Sequence, residues 1–77
     1  MDINEAREIT KQARRHRIDY DKEAILKEIA KSARDGGNFA VISVAPYSLL
    51  ECTELLVERK FKFHIVDGFQ FHIEWGE

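Results

Sequence analysis

Residues 61–75, FKFHIVDGFQFHIEW, alternate apolar and polar positions on both sides of Asp67-Gly68. Alternation at period two marks half-buried strands, and Asp-Gly between two such runs is the strongest short-range hairpin signal. The faces then restrict the turn. A two-residue loop at Asp67-Gly68 pairs Val66 with Phe69, His64 with Phe71 and Phe63 with His72, which sets apolar residues against polar ones. An odd loop keeps the apolar set on one face. Taking Val66-Asp67-Gly68 as the loop pairs Ile65 with Phe69, Phe63 with Phe71 and Phe61 with Ile73. Gly68 then takes the left-handed position of a type I turn with a bulge. The opposite face carries Lys62 beside His72, His64 beside Gln70 and Lys60 near Glu74. A hairpin alone is marginal in water and needs further layers.

The rest of the chain supplies those layers. Residues 2 to about 35 read as helix, with Asp2 as N-cap, Glu5 as its capping-box partner and Gly36 as the C-terminal stop. The apolar stripe is thin at first (Ile3, Ala6, Ile9, Ala13) and thickens from Ala24 to Ala33. At "HRIDYD", 16–21, Asp19 or Asp21 could cap a new helix, so the segment is either one helix about 50 Å long or two helices with a break there; two helical segments, bent or continuous, are favoured. Residues 38–45, NFAVISVA, form a strand that is apolar at nearly every position, so cover is expected on both faces. Ser48 and Glu51 form a capping box for a short amphipathic helix over about 48–59.

The expected fold class is α+β. N-terminal helical segment(s) over 1–35 precede a β-α-β-β unit over 38–77, in one domain spanning 1–77. The three-stranded sheet is mixed in strand direction, with the split β-α-β order favoured. A right-handed crossover makes strands one and two parallel, and strand three returns antiparallel to strand two. Strand one then lies at an edge. A bare apolar edge invites pairing with another chain, so either the long helix or a second subunit should cover it. Homodimers or larger assemblies, packed through the N-terminal helices, are the expectation.

Seventy-seven residues with a single cysteine, Cys52, allow one small domain without a disulfide framework. No apolar run approaches a membrane span, and the charged N-terminus lacks the apolar segment of a secretory signal. A soluble cytoplasmic protein is expected. The formal net charge of −2 conceals a basic run: Lys11, Arg14, Arg15 and Arg17 lie within KQARRHR with no acid among them. Lys11, Arg14, Arg15 and Ile18 follow one helical face, whereas Arg17 points elsewhere. Arginine forks suit phosphate or carboxylate, and arginines gathered across a subunit interface would form an anion pocket. The plainer reading is a solvated face partly balanced by Glu8, Asp19 and Asp21. Tyr20 could stack on a ligand base, although packing is its commoner role.

Other constellations are weaker. His64 and His72 with Glu74 lack a convincing third metal ligand, so no metal site is assigned. Cys52 sits among Glu51, Glu54 and leucines without an activating base. No nucleophile, base and oxyanion donor assemble, so no enzyme activity, catalytic residue or cofactor is expected.

The order of segments resembles a broad class of small bacteriophage accessory proteins. The likeness lies in the charged helix NEAREITKQA and the helix-to-strand step AILKEIAKSARDGGNFAVIS. It continues in LLVERKFKFHI and in a last strand ending Ile73-Glu74-Trp75. Such proteins often place Gly just before the aromatic that opens the second strand; Lys60 stands there, which suggests a less tight turn. The resemblance implies a self-assembling phage protein within the host cell, and it supplies no ligand motif. The reading it favours is a homo-oligomer that sequesters an anionic nucleotide-like signal of host immunity. Lys11, Arg14, Arg15, Arg17 and Tyr20 are the candidate ligand residues. The alternatives are a virion structural or assembly component, and a nucleic-acid-binding protein using the same arginines.

Overall fold

A computed structural model describes residues 1–76. Helix α1 spans Ile3–Arg34, strand β1 Phe39–Ser43, a 3₁₀ turn Pro46–Ser48, helix α2 Leu49–Glu58, strand β2 Lys62–Val66 and strand β3 Gln70–Glu74. The architecture is α+β, as expected from sequence. The sheet order is β1-β3-β2, with β3 antiparallel to both neighbours. β1 and β2 therefore run in the same direction without touching, which is the split arrangement. Both ladders are antiparallel, so the sheet is antiparallel throughout and not mixed, because β3 inserts between the two co-directional strands.

Of the two alternatives for residues 2–35, the continuous one forms: α1 is one uninterrupted helix of 32 residues, without a break at 16–21. Its length of about 48 Å accounts for the molecule's long dimension of 53 Å. The two aspartates that might have capped a second helix are used otherwise. Asp19 pairs one turn back with Arg15, and Asp21 pairs one turn back with Arg17; such i,i+4 pairs stabilise a continuing helix.

Both ends of α1 follow the sequence signals. Asp2 accepts the Glu5 N–H at 2.8 Å. At the far end the Gly36 N–H donates to the Ala33 carbonyl and the Gly37 N–H to the Ser32 carbonyl. This is a Schellman closure, with Gly36 left-handed at φ 87°.

The same closure ends α2. There the Lys60 N–H donates to the Val57 carbonyl and the Phe61 N–H to the Leu56 carbonyl. Lys60 itself is left-handed at φ 65°. The turn is therefore tight in spite of the missing glycine, and the strain falls on the lysine backbone. Lys60→Gly is expected to stabilise the protein by about 1 kcal/mol, since a left-handed non-glycine residue costs roughly 1–2 kcal/mol and glycine entropy offsets part of the gain. A urea midpoint that is unchanged or lowered would contradict this.

The Ser48–Glu51 capping box does not form. Ser48 is helical at φ −87°, ψ −11° and its side chain makes no capping bond; both side chains bond to α1 instead.

The core lies between the sheet and the two helices: Ile25, Ile29, Ala40, Val44, Cys52, Leu56, Phe71 and Ile73 are buried. All three buried α1 residues, Asp21, Ile25 and Ile29, recur at four-residue spacing in its C-terminal half. Strand β1 is covered on one face only, contrary to expectation. Ala40 is buried and Ile42 packs against the core, whereas Phe39 and Val41 remain 59% and 37% exposed.

The hairpin keeps its aromatic face but shifts its loop by one residue. Ile65 pairs with Phe71, Phe63 with Ile73, His64 with His72 and Lys62 with Glu74. The loop is thus Asp67-Gly68-Phe69, not Val66-Asp67-Gly68, and every partner slides by two. Faces are preserved because two residues is one strand period. Phe69, although in the loop, still extends the β1 ladder: its carbonyl accepts the Val44 N–H at 3.0 Å. Gly68 is left-handed at φ 82°, as expected, and Phe69 is also left-handed at φ 53°.

Candidate functional site

The N-terminal half of α1 projects beyond the core. Residues 3–17 are exposed except for half-buried Ala6. Arg7, Lys11, Arg14, Arg15 and Ile18 follow four- and three-residue steps and share one face of this projection. With Ile3, Ala6, Thr10, Gln12 and one carboxylate, Glu8, they line a shallow trough whose walls come from α1 alone. Arg7 extends the basic row by one turn. Sequence reading omitted it because it lies outside KQARRHR, although its spacing to Lys11 was visible.

The structure divides the candidate ligand residues. Lys11, Arg14 and Arg15 lie together on the trough. Among the described residues no ion pair holds Arg7, Lys11 or Arg14. The Arg14 guanidinium carbon stands 5.3 Å from the Tyr47 ring centroid, a cation–π distance that orients the fork. Arg15 is committed elsewhere. Its Nη1 and Nη2 donate to the two Glu51 oxygens at 2.7 and 2.9 Å, and Nη2 also donates to Asp19 at 2.7 Å. This bidentate fork fastens α2 to α1. Arg17 and Tyr20 occupy another face, with the Arg17 guanidinium carbon 5.7 Å from the Tyr20 ring centroid.

Arg17 also reaches the one buried charged group among the described residues. Asp21, 2% exposed, accepts from Arg17 Nε at 2.9 Å, from the Ala45 N–H at 3.0 Å and from the Ser48 hydroxyl at 2.6 Å. It ties α1 to the segment joining β1 to α2. The signal was present in sequence: Asp21 stands four residues before Ile25 on the apolar stripe.

The ion pairs set the titration behaviour. Arg15 holds the Glu51 carboxyl below its ordinary value of 4.5, through the hydrogen bond first and its charge second. It lowers Asp19 from 3.8 in the same way. Carboxyls lowered by folding contribute stability that is present above the unfolded value and lost as pH falls through the folded one. Stability should therefore decline as pH drops below about 4.5. Glu51→Gln should flatten that decline, as read from melting temperature at stepped pH. An unaltered acid limb in the variant would show that Arg15–Glu51 is not a linked pair.

Burial pushes the Cys52 thiol up to about 11. His64 and His72 lie cross-strand with ring centroids 5.0 Å apart. Among the described residues, no three His, Cys, Asp or Glu groups are placed to hold a metal. Among the described residues, no helix is long and apolar enough to cross a membrane.

Comparison with family models, with curated proteins and with solved structures finds no match to this chain. Fold and site together define a small α+β protein that presents a basic, projecting helix.

Proposed function

We propose that this protein is a non-enzymatic, self-associating accessory protein that holds an anionic, nucleotide-like ligand on the basic face of α1. The observation that carries the reading is the row Arg7, Lys11 and Arg14: three cations on one exposed face without carboxylate partners. Tyr47 stands beside Arg14 as an aromatic surface. Arg15 borders the row but is already neutralised by Glu51 and Asp19, so its part is to hold the helix in place. Arg17, bound to Asp21, and Tyr20 lie on an adjoining face of the helix and are not in the proposed contact set. Sequestration of a host-defence nucleotide fits the phage-like pattern of the chain and needs no catalytic group.

The row favours a second reading. Arg7 to Arg14 spans about 10 Å along the helix, and a trough with one wall suits an extended polyanion. Calorimetry with cyclic and linear nucleotides, alongside anisotropy with labelled DNA and RNA, separates the two. Nucleotide binding weakened at least tenfold by Lys11→Ala/Arg14→Ala, with melting unchanged, supports the ligand reading. Binding of oligonucleotides alone, with a log–log salt slope of roughly −2 to −3 for three phosphates, supports the polyanion. Absence of both at low salt removes the anion site and leaves an assembly role, for which recovery of the protein in purified virions is the check.

A further inference from the structure

We infer that the free edge of β1 pairs with the β1 edge of a second copy, antiparallel about Val41, to form a continuous six-stranded sheet. This rests on the self-association in the proposed reading and not on the ligand.

Main-chain direction gives the starting point. The Trp75 N–H donates to the Asn38 carbonyl and the Val44 N–H to the Phe69 carbonyl. Antiparallel ladders alternate, so Asn38, Ala40, Ile42 and Val44 turn their main-chain groups toward β3. Phe39, Val41 and Ser43 turn theirs to the open side. Of that outward row, the Phe39 carbonyl accepts the Ser32 hydroxyl at 2.7 Å. Among the described residues, nothing pairs with the groups of Val41 and Ser43.

The two sheet edges are treated differently. β2 is flanked and occupied by Lys60 and Lys62, charges of the kind that discourage edge pairing. β1 has none. No charged residue occurs between Asp35 and Glu51, in a chain that is 34% charged. β1 also lacks a bulge and an internal proline. Antiparallel pairing about Val41 sets each Val41 against its counterpart and each Phe39 against Ser43. It brings neutral side chains together on both faces and adds cover beside Phe39 and Val41, which are exposed on the outer face. Pairing through α1 is less suited, because its projecting face carries Arg7, Lys11 and Arg14 along the same line.

Light scattering and residue-resolved amide exchange test the inference on the full chain. A dimer is expected, with the Val41 and Ser43 amides protected at high concentration and exposed on dilution. Val41→Pro removes a donor that the β1–β3 ladder does not use, and Val41→Lys adds an edge charge. Both should give a folded monomer, with at least a tenfold rise in dissociation constant, whereas Ile9→Lys on the projecting helix should leave the dimer intact. If Val41→Pro does not fold, Val41→Lys and the exchange pattern still decide. A wild-type monomer at all concentrations overturns both the inference and the self-association it rests on. A wild-type dimer that survives Val41→Lys, or one dissociated by Ile9→Lys alone, overturns the edge pairing only.

Discussion

Asp21→Ala is expected to destabilise the protein by about 2–4 kcal/mol. The carboxylate is 2% exposed and accepts three bonds. Its removal strands the buried Ser48 hydroxyl and leaves the half-buried Ala45 N–H without its partner. Each unsatisfied buried donor costs about 1–3 kcal/mol, with some relief from water entering the space. The Arg17 side chain is 48% exposed, so its lost ion pair adds little. For a chain of this size the effect is a large share of a total of roughly 5–15 kcal/mol.

Urea denaturation of Asp21→Ala, Ser48→Ala and the double variant measures the coupling. Ser48→Ala alone should cost less, because Asp21 retains Ala45 and Arg17. The double variant should fall short of the sum, as residues in one network do not add. Asp21→Asn should lie between wild type and Asp21→Ala: its amide oxygen can accept one of the buried donors, while its NH₂ must face another. A loss below about 1 kcal/mol for Asp21→Ala would mean that helix packing, not the carboxylate, positions the β1–α2 connection.

How far the sequence reveals this arrangement depends on the kind of signal. Period-two alternation around Asp67-Gly68 gave the strands and the aromatic face, because a wrong face would expose every phenylalanine at once. It did not give the pairing partners. Loops at 66–68 and 67–69 keep the same face, so alternation alone does not choose between them. The Gly36-Gly37 stop was legible because its capping geometry is local. The Lys60 turn was misjudged because a neighbouring packed strand can impose a left-handed lysine, an override that local propensity does not contain.

The site shows the same division. Shared helical faces were legible, so Lys11, Arg14 and Arg15 were grouped correctly and Arg17 was separated from them. Partners distant in sequence were not. Glu51 looked like a cap for its own helix, and only the fold brings it to Arg15, 36 residues away. Ser48 was likewise diverted to Asp21. In both cases a side chain with a good local option is held by a charged partner on another element. For Ser48 the bond to a carboxylate is roughly twice as strong as a neutral cap; for Glu51 the Arg15 fork offers two charge-assisted bonds where its own helix start offers one.

Phe71→Ala is expected to cost about 3–5 kcal/mol, the usual range for emptying a buried phenylalanine site. The reason lies in strand order. β3 is the middle strand, and Phe71 stands between Ile42 of β1 and Ile65 of β2 on the helix-facing side. It is fully buried and its ring packs on Phe63 at 5.7 Å. Truncation leaves a void bounded by both neighbouring strands and the helices, which backbone shifts cannot close without breaking a ladder. Ile65→Ala removes an apolar side chain from the same face but at the sheet edge, where Ile65 is 42% exposed. Its cost should stay near 1 kcal/mol, since much of that surface never left water. If β2 were central, as the order β1-β2-β3 would require, Ile65 would be enclosed and Phe71 would lie at the edge. The ranking of the two variants would then reverse. Equilibrium denaturation of Phe71→Ala beside Ile65→Ala therefore tests the split topology directly. Phe71→Leu, with a smaller void, keeps the comparison measurable should the alanine variant fail to fold.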